Sequence, residues 1–282
     1  DRILAEPMRR NTAPCIAYVT HKIASMYPNA NMIIAPSDHL IQEENKFFEI
    51  ILKGISYTED HNDLVTLGIK PTRPDTGYGY IQFNEQKIAD GIHKVKTFTE
   101  KPDIELAKTF VASGEFLWNA GIFIWNTEAI LQAFDKHLQE MNQLFWEARK
   151  SFGTDTEQKA IEKAYSRCTN ISIDYGVMEK ADNVFIIPSA FGWSDLGTWA
   201  SLWANYEKDY LGNAVKGKKV MIYDAVNCMV MAPDDKLVVL QGLEDFIVVD
   251  TKDVLIICKK DKEQQIKEIT ADMKRKGMDK YL

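Results

Sequence analysis

Asp38 and Asp195 are the first residues whose setting suggests chemistry. Asp38 lies in Ala35-Pro36-Ser37-Asp38-His39, directly after the apolar run Asn31-Met32-Ile33-Ile34. In open α/β sheets ligands bind beyond the carboxyl ends of strands. A carboxylate there suits a hard cation such as Mg²⁺, which takes oxygen ligands and keeps several waters. Asp195 stands in Phe191-Gly192-Trp193-Ser194-Asp195-Leu196-Gly197-Thr198-Trp199, between a strand candidate and a short helix. Two carboxylates from distant strand ends can clamp one metal between phosphate groups. Helix capping is the plain alternative for each, and capping still leaves a lone pair to give.

A second cluster, Thr99-Glu100-Lys101-Pro102, also follows a strand candidate. Glu100 can accept hydrogen bonds from sugar hydroxyls while Lys101 reaches a phosphate; a surface ion pair before a helix is the simpler meaning. In Asp75-Thr76-Gly77-Tyr78-Gly79-Tyr80-Ile81 the glycines let the backbone come close to a neighbour, or make a turn into a strand. Trp118-Asn119-Ala120-Gly121-Ile122 offers an amide that both donates and accepts. The stretch from Glu6 to Pro14, with Asn11, Thr12 and Ala13, opens a helix, and helix N-termini attract anions. A base edge and a phosphate both fit that loop.

These residues need elements to carry them. Ile16, Val19, Ile23 and Met26 form a helical stripe over 13–27, stopped by Pro28 and Asn29. The apolar run 31–36 predicts a strand buried on both faces. Phe47, Ile51 and Ile55 predict a second helix, and 64–69 a second buried strand. Helix, strand, helix, strand is the rhythm of a parallel sheet covered by helices. Further strands are expected at 79–83, 95–98, 121–125 and 184–187. Asp103 is placed to cap a helix that Gly114 closes. Thr127 starts another helix, with Lys136 and His137 in its last turn, and 138–168 reads as helical and amphipathic. After about Tyr210 short strands recur at 220–223, 228–230, 237–240, 246–249 and 254–257, the mark of a small all-β unit. A terminal helix is expected over 262–276.

The 282 residues allow one large domain and a small one, with the boundary at 205–215. A net charge of −7 gives a nucleic-acid role no electrostatic help. No apolar run approaches the roughly 18 residues of a membrane span. Cys15, Cys168, Cys228 and Cys258 form no CxxC pair, which speaks against zinc and against a disulfide framework. Cytoplasm is the natural compartment.

Taken in order, EPMRRNTAPCI, APSDH, LGIKPTRPDTGYGYI, FTEKP, WNAGIFIW, SIDYGVMEK and WSDLGTW resemble the mannose-1-phosphate guanylyltransferase family. The resemblance runs from residue 1 to about 260. It implies an α/β fold: a Rossmann-like nucleotidyltransferase domain at 1–210 with a mixed, mainly parallel sheet, then a small left-handed β-helix-like domain at 211–282. It implies that Asp38 and Asp195 bind Mg²⁺ and act in catalysis with Lys101, which holds the sugar phosphate. Glu100 and Asn119 would hold mannose hydroxyls, and Gly79 would approach the sugar through its backbone. Asp174, with Tyr175, matches the family's pattern near the sugar. Glu6, Asn11, Thr12 and Ala13 would lie near guanine.

The implied substrates are GTP and mannose 1-phosphate, giving GDP-mannose and pyrophosphate, with no nucleic-acid or membrane partner and a homodimer through the C-terminal domain. Another sugar 1-phosphate, or a non-catalytic relative of the fold, are the alternatives. The family begins with a strand, a glycine-rich loop containing an Arg, and a further Lys, which cradle the triphosphate. That segment is not in the sequence from Asp1 onward, so the triphosphate site is expected to be incomplete there.

Overall fold

A computed structural model describes residues 3–89 and 91–281. The chain divides into two compact units: residues up to Ser37 with Ile41–Trp193, and Asp38–Leu40 with Ser194 onward.

The first unit carries α1 (Thr12–Met26), β1 (Asn31–Ile34), a short strand β2 (Leu40–Ile41), α2 (Glu44–Asp60) and β3 (Leu64–Ile69). There follow β4 (Tyr80–Ala89), β5 (Ile92–Thr99), α3 (Ile104–Ser113), β6 (Phe116–Asn126), α4 (Thr127–His137), α5 (Gln139–Ala148) and α6 (Glu157–Arg167). A π-helical turn, Asp174–Met178, leads to β7 (Val184–Ser189) and to β8 (Trp193–Ser194), which pairs with β2; Leu40 and Ser194 of these two short strands are counted with the second unit.

Strand alternation explains the core. Leu64, Phe123, Trp125 and Ile186 point to one face of the sheet, where Ala17, Phe134, Phe145 and Tyr165 of the helices cover them. Val65, Leu67, Ile122, Ile124, Phe185 and Ile187 point to the other, against Ile51 and Tyr57 of α2. Both faces are covered, which is why β3 reads as a continuous apolar run.

The six-stranded sheet has the order β1-β6-β3-β7-β5-β4, with β4 also paired to β6. It is mixed, as expected, but not mainly parallel. Of its described pairings β3–β7 is parallel, and the others are antiparallel. The reason is β6, which enters between β1 and β3 and runs against both, while β4 and β5 form a hairpin. Residues 31–36 are also not a strand buried on both faces. The strand covers Asn31–Ile34, it ends the sheet, and Ile33 is 44% exposed. The stretch 138–168 is helical as expected, in α5, a 3-10 turn at Arg149–Ser151 and α6, with the chain turning at Gly153, whose φ is 75°. There the Glu157 carboxylate accepts the Gly153 N–H at 2.7 Å.

The second unit holds α7 (Trp199–Asn205), β9 (Ala214–Lys216), β10 (Val220–Tyr223), β11 (Met229–Met231), β12 (Val238–Gln241), β13 (Phe246–Asp250), β14 (Leu255–Lys259) and α8 (Ile266–Arg275). β9, β11 and β13 stack in parallel, as do β10 and β12. Alternate strands thus build alternate faces of a β-helix-like coil. Cys228, Val230 and Val248 turn into one small core, and Met229, Ile247 and Val249 into another with Trp199 and Trp203. β14 closes the stack antiparallel to β13.

The cap of α3 formed as its sequence indicates: Asp103 accepts the Leu106 N–H at 2.9 Å, and Gly114 is left-handed at φ 71°. Asp103→Ala should therefore destabilise the protein by about 1 kcal/mol, lowering the thermal midpoint followed by circular dichroism. An unchanged midpoint would mean that the cap does not hold this helix.

Candidate functional site

β5 ends at Thr99, and Glu100 and Lys101 follow it directly, ahead of α3. Lys101 adopts the left-handed region at φ 48°, and its Nζ pairs with Glu100 Oε1. Its backbone N–H donates to Tyr78 O at 3.2 Å, tying this turn to the loop before β4. Glu100 is 8% exposed. Its second oxygen, Oε2, has no hydrogen-bond partner among the described residues.

Gly79 is what makes room for that oxygen. A Cβ at position 79 would lie 2.3 Å from Glu100 Oε2 and 3.2 Å from Asn119 Cβ. Any side chain there would collide with the carboxylate, so the backbone itself forms the wall. Gly79 O accepts the Asn119 N–H at 2.8 Å. The Asn119 amide does both things the sequence suggested: Nδ2 donates to Asp174 Oδ1 at 2.8 Å, and Oδ1 accepts from the Gly121 N–H at 3.1 Å. Gly79, Glu100, Lys101, Asn119 and Asp174 thus form one cluster in the first unit.

Burial first, and the neighbouring Asp174 next, raise the Glu100 carboxyl above its usual 4.5, against the pull of Lys101. Burial likewise raises Asp174 above its usual 3.8. Burial acts to lower the Lys101 amine, but the hydrogen bond and charge of Glu100 outweigh it and hold the amine above its usual 10.5. The cluster therefore offers a firm cation for a phosphate and a buried acceptor for a hydroxyl.

Glu6, Asn11, Thr12 and Ala13 gather at the start of α1. Asn11 sits at φ 67° and accepts the Thr12 N–H at 2.9 Å. Thr12 Oγ1 accepts the Ile173 N–H at 2.9 Å, and the buried Ala13 donates its N–H to Ile171 O at 3.2 Å. Glu6 Oε1 accepts from the Tyr165 hydroxyl at 3.0 Å. This end of α1 is thereby tied to the segment that precedes the π turn.

In the second unit Asp38 is exposed and Asp195 half-buried. Neither caps a helix: α2 has Glu43 at its cap, and α7 has Thr198 in a capping box with Ser201. Asp195 Oδ2 lies 2.7 Å from where a Cβ on Gly197 would stand, so Gly197 gives the carboxylate its place. Burial lowers the His39 imidazole below its usual 6.5, while Asp195 and then Asp38 act to raise it. Both carboxylates are therefore within electrostatic reach of one side chain. Among the described residues no three His, Cys, Asp or Glu side chains group to hold a metal. A pair of carboxylates completed by water is the smaller donor set that Mg²⁺ accepts.

Two neighbours went unread in the sequence. Glu179 Oε1 accepts the Glu100 N–H at 2.7 Å, and nothing about its spacing marks it. Thr66 donates to Asn119 Oδ1 at 3.0 Å; its signal is a hydroxyl inside an apolar strand.

A family model described as nucleotidyl transferase matches residues 2–210, and one described as MannoseP isomerase/GMP-like beta-helix domain matches 217–273. The chain is 36% identical over 277 residues to the alginate biosynthesis protein AlgA of Pseudomonas aeruginosa, covering 98% of this chain and 57% of that protein. It is 35% identical over 286 residues to a mannose-1-phosphate guanylyltransferase of Salmonella montevideo, covering 99% of this chain and 59% of that one. The chain thus spans less than two thirds of these relatives' length. A crystal structure described as mannose-1-phosphate geranyltransferase, from Thermus thermophilus, superposes with a TM-score of 0.82 at 27% identity. The match covers 97% of this chain and 78% of that one. Among the described residues no helix is long and apolar enough to cross a membrane.

A carboxyl whose folded pKa is raised favours folding below its unfolded pKa, and that contribution is lost as pH rises through the folded value. The Glu100–Asp174 pair should therefore weigh against the fold at neutral pH and not in acid. The thermal midpoint of Glu100→Gln, relative to the wild type, should rise between about pH 4 and about pH 8. A constant difference across that window would show that Glu100 is not held above its ordinary range.

Proposed function

The chain belongs to the nucleotidyl transferase family, and on that footing we propose that it transfers GMP from GTP to mannose 1-phosphate. The products are GDP-mannose and pyrophosphate. The observation that carries the reading is Glu100 Oε2, a buried acceptor left without a partner beside Gly79 and Lys101. A sugar hydroxyl supplies the missing donor, and the phosphate on the same sugar meets the lysine.

In the reaction an oxygen of mannose 1-phosphate forms a bond to the α-phosphorus of GTP. The bond from that phosphorus to the β-phosphate's bridging oxygen breaks, and pyrophosphate leaves with its electron pair. The attacking phosphate is already an anion, so no side chain has to remove a proton. What remains for the protein is alignment and neutralisation of charge. Lys101, kept protonated by Glu100, neutralises the sugar phosphate and orients it. Glu100, Asn119 and the Gly79 backbone fix the sugar ring, and the loop from Glu6 to Ala13 receives the guanine. Asp38 and Asp195 would hold Mg²⁺, which when bound supplies further positive charge to the phosphates. The reading carries with it a cytoplasmic protein and a dimer through the β-helix-like domain, where Met221, Tyr223 and Val239 are exposed.

Gln at position 100 keeps the size of Glu but lacks the charge that strengthens a hydrogen bond to a hydroxyl. In steady-state assays of the intact enzyme, Glu100→Gln should raise KM for mannose 1-phosphate by roughly 10-fold or more. KM for GTP should stay within about twofold. Equal loss for both substrates would remove Glu100 from the sugar site.

A further inference from the structure

The β3–β6 pairing carries an irregularity where the Asn119 amide is held. Thr66 pairs with Phe123 and Gly68 with Asn119, so two steps along β3 answer four along β6. The extra residues bulge out of the ladder, with Gly121 at φ 67°, and a bulge of this kind re-aims a side chain. It brings the Gly121 N–H to 3.1 Å from Asn119 Oδ1. From the facing strand, the Thr66 hydroxyl reaches the same oxygen at 3.0 Å and also lies 3.2 Å from Ile122 O. Thr66 is fully buried between Val65 and Leu67, the one hydroxyl-bearing residue of β3.

These contacts leave the amide one orientation. Its oxygen faces the hydroxyl and the Gly121 N–H, and its nitrogen faces the Asp174 carboxylate at 2.8 Å. Turned over, the NH₂ would meet the Gly121 N–H, and the oxygen would meet a carboxylate. With Oδ1 taking two hydrogen bonds and Nδ2 giving one, what the amide still offers a ligand is its second N–H.

We propose that Thr66 is a positioning residue for the sugar, acting through Asn119 by holding in place the amide that the Gly121 N–H has turned to present a donor. The inference rests on the reading of Glu100 and Asn119 as the sugar site. A hydroxyl that meets both groups then accepts from Asn119 Nδ2 and donates to Glu100 Oε2. The Gly121 N–H, a donor only, sets which way the amide is turned, and the Thr66 hydroxyl, which can donate or accept, holds it in that place.

The test uses the intact enzyme with mannose 1-phosphate and GTP varied separately, in Thr66→Val, Thr66→Ser, Asn119→Ala and the Thr66→Val/Asn119→Ala double variant. Thr66→Val should raise KM for mannose 1-phosphate about 3- to 10-fold, the worth of one hydrogen bond, with KM for GTP and kcat little changed. Thr66→Ser keeps the hydroxyl and should behave as the wild type. In the Asn119→Ala background, Thr66→Val should add nothing, because the group it positions is gone. Equal changes in both KM values, an unrescued Thr66→Ser, or an undiminished effect without Asn119 would each reduce Thr66 to a packing residue and overturn the inference. Those results would leave the sugar reading standing. Asn119→Ala with an unaltered KM for mannose 1-phosphate would overturn the reading and the inference together.

Discussion

Taking a carboxylate out of water costs on the order of several kcal/mol unless it is paired and hydrogen-bonded. Glu100 is held at 8% exposure with one oxygen paired and the other bare. Its neighbours are explained by that arrangement. Lys101 has to be a cation and has to double back on the preceding residue, which it does from a left-handed backbone. Position 79 has to be glycine, because a Cβ would stand 2.3 Å from the bare oxygen. Asp174, half-buried and within electrostatic reach of the same lysine, adds a second raised carboxyl. The folded chain thus holds a buried acceptor that no protein donor meets among the described residues, and on the proposed reading a sugar hydroxyl would supply that donor.

The sheet is what makes this arrangement rigid. β4 and β6 pair through Tyr80 and Trp118, and β4 and β5 through Tyr80 and Thr99. The loop before β4, the end of β5 and the bulge in β6 are therefore fixed to one another by backbone hydrogen bonds. The π turn then brings Asp174 to the amide that the bulge has aimed. The metal-binding carboxylates assigned by the proposal belong to the second unit, where Gly197 makes space for Asp195 and neither Asp38 nor Asp195 serves as a cap.

Local signals read well from the sequence because their causes are local. Asp103 and Gly114 bound α3, and Thr127 and the last-turn Lys136 and His137 frame α4, since capping needs only adjacent backbone. The strands of the β-helix-like unit fell close to their expected positions because turns punctuate them at short intervals. Pairing partners were not legible: the apolar run of β6 says nothing about entering between β1 and β3, so the sheet came out mostly antiparallel. The open face at Ile33 has the same origin, in pairing set by segments distant along the chain. In the site, Asn119 announced itself as an amide in an apolar setting. Glu179 did not, because its partner is the backbone of Glu100, and Thr66 only hints at its role.

The central claim is that Glu100 Oε2 is the acceptor for a sugar hydroxyl. A crystal structure of the intact protein with mannose 1-phosphate bound tests it most directly. The account predicts a ring hydroxyl within hydrogen-bond distance of Glu100 Oε2, about 2.7 Å, with the phosphate against Lys101. A bound sugar phosphate lying elsewhere, with Oε2 still without a donor from the ligand, would contradict it.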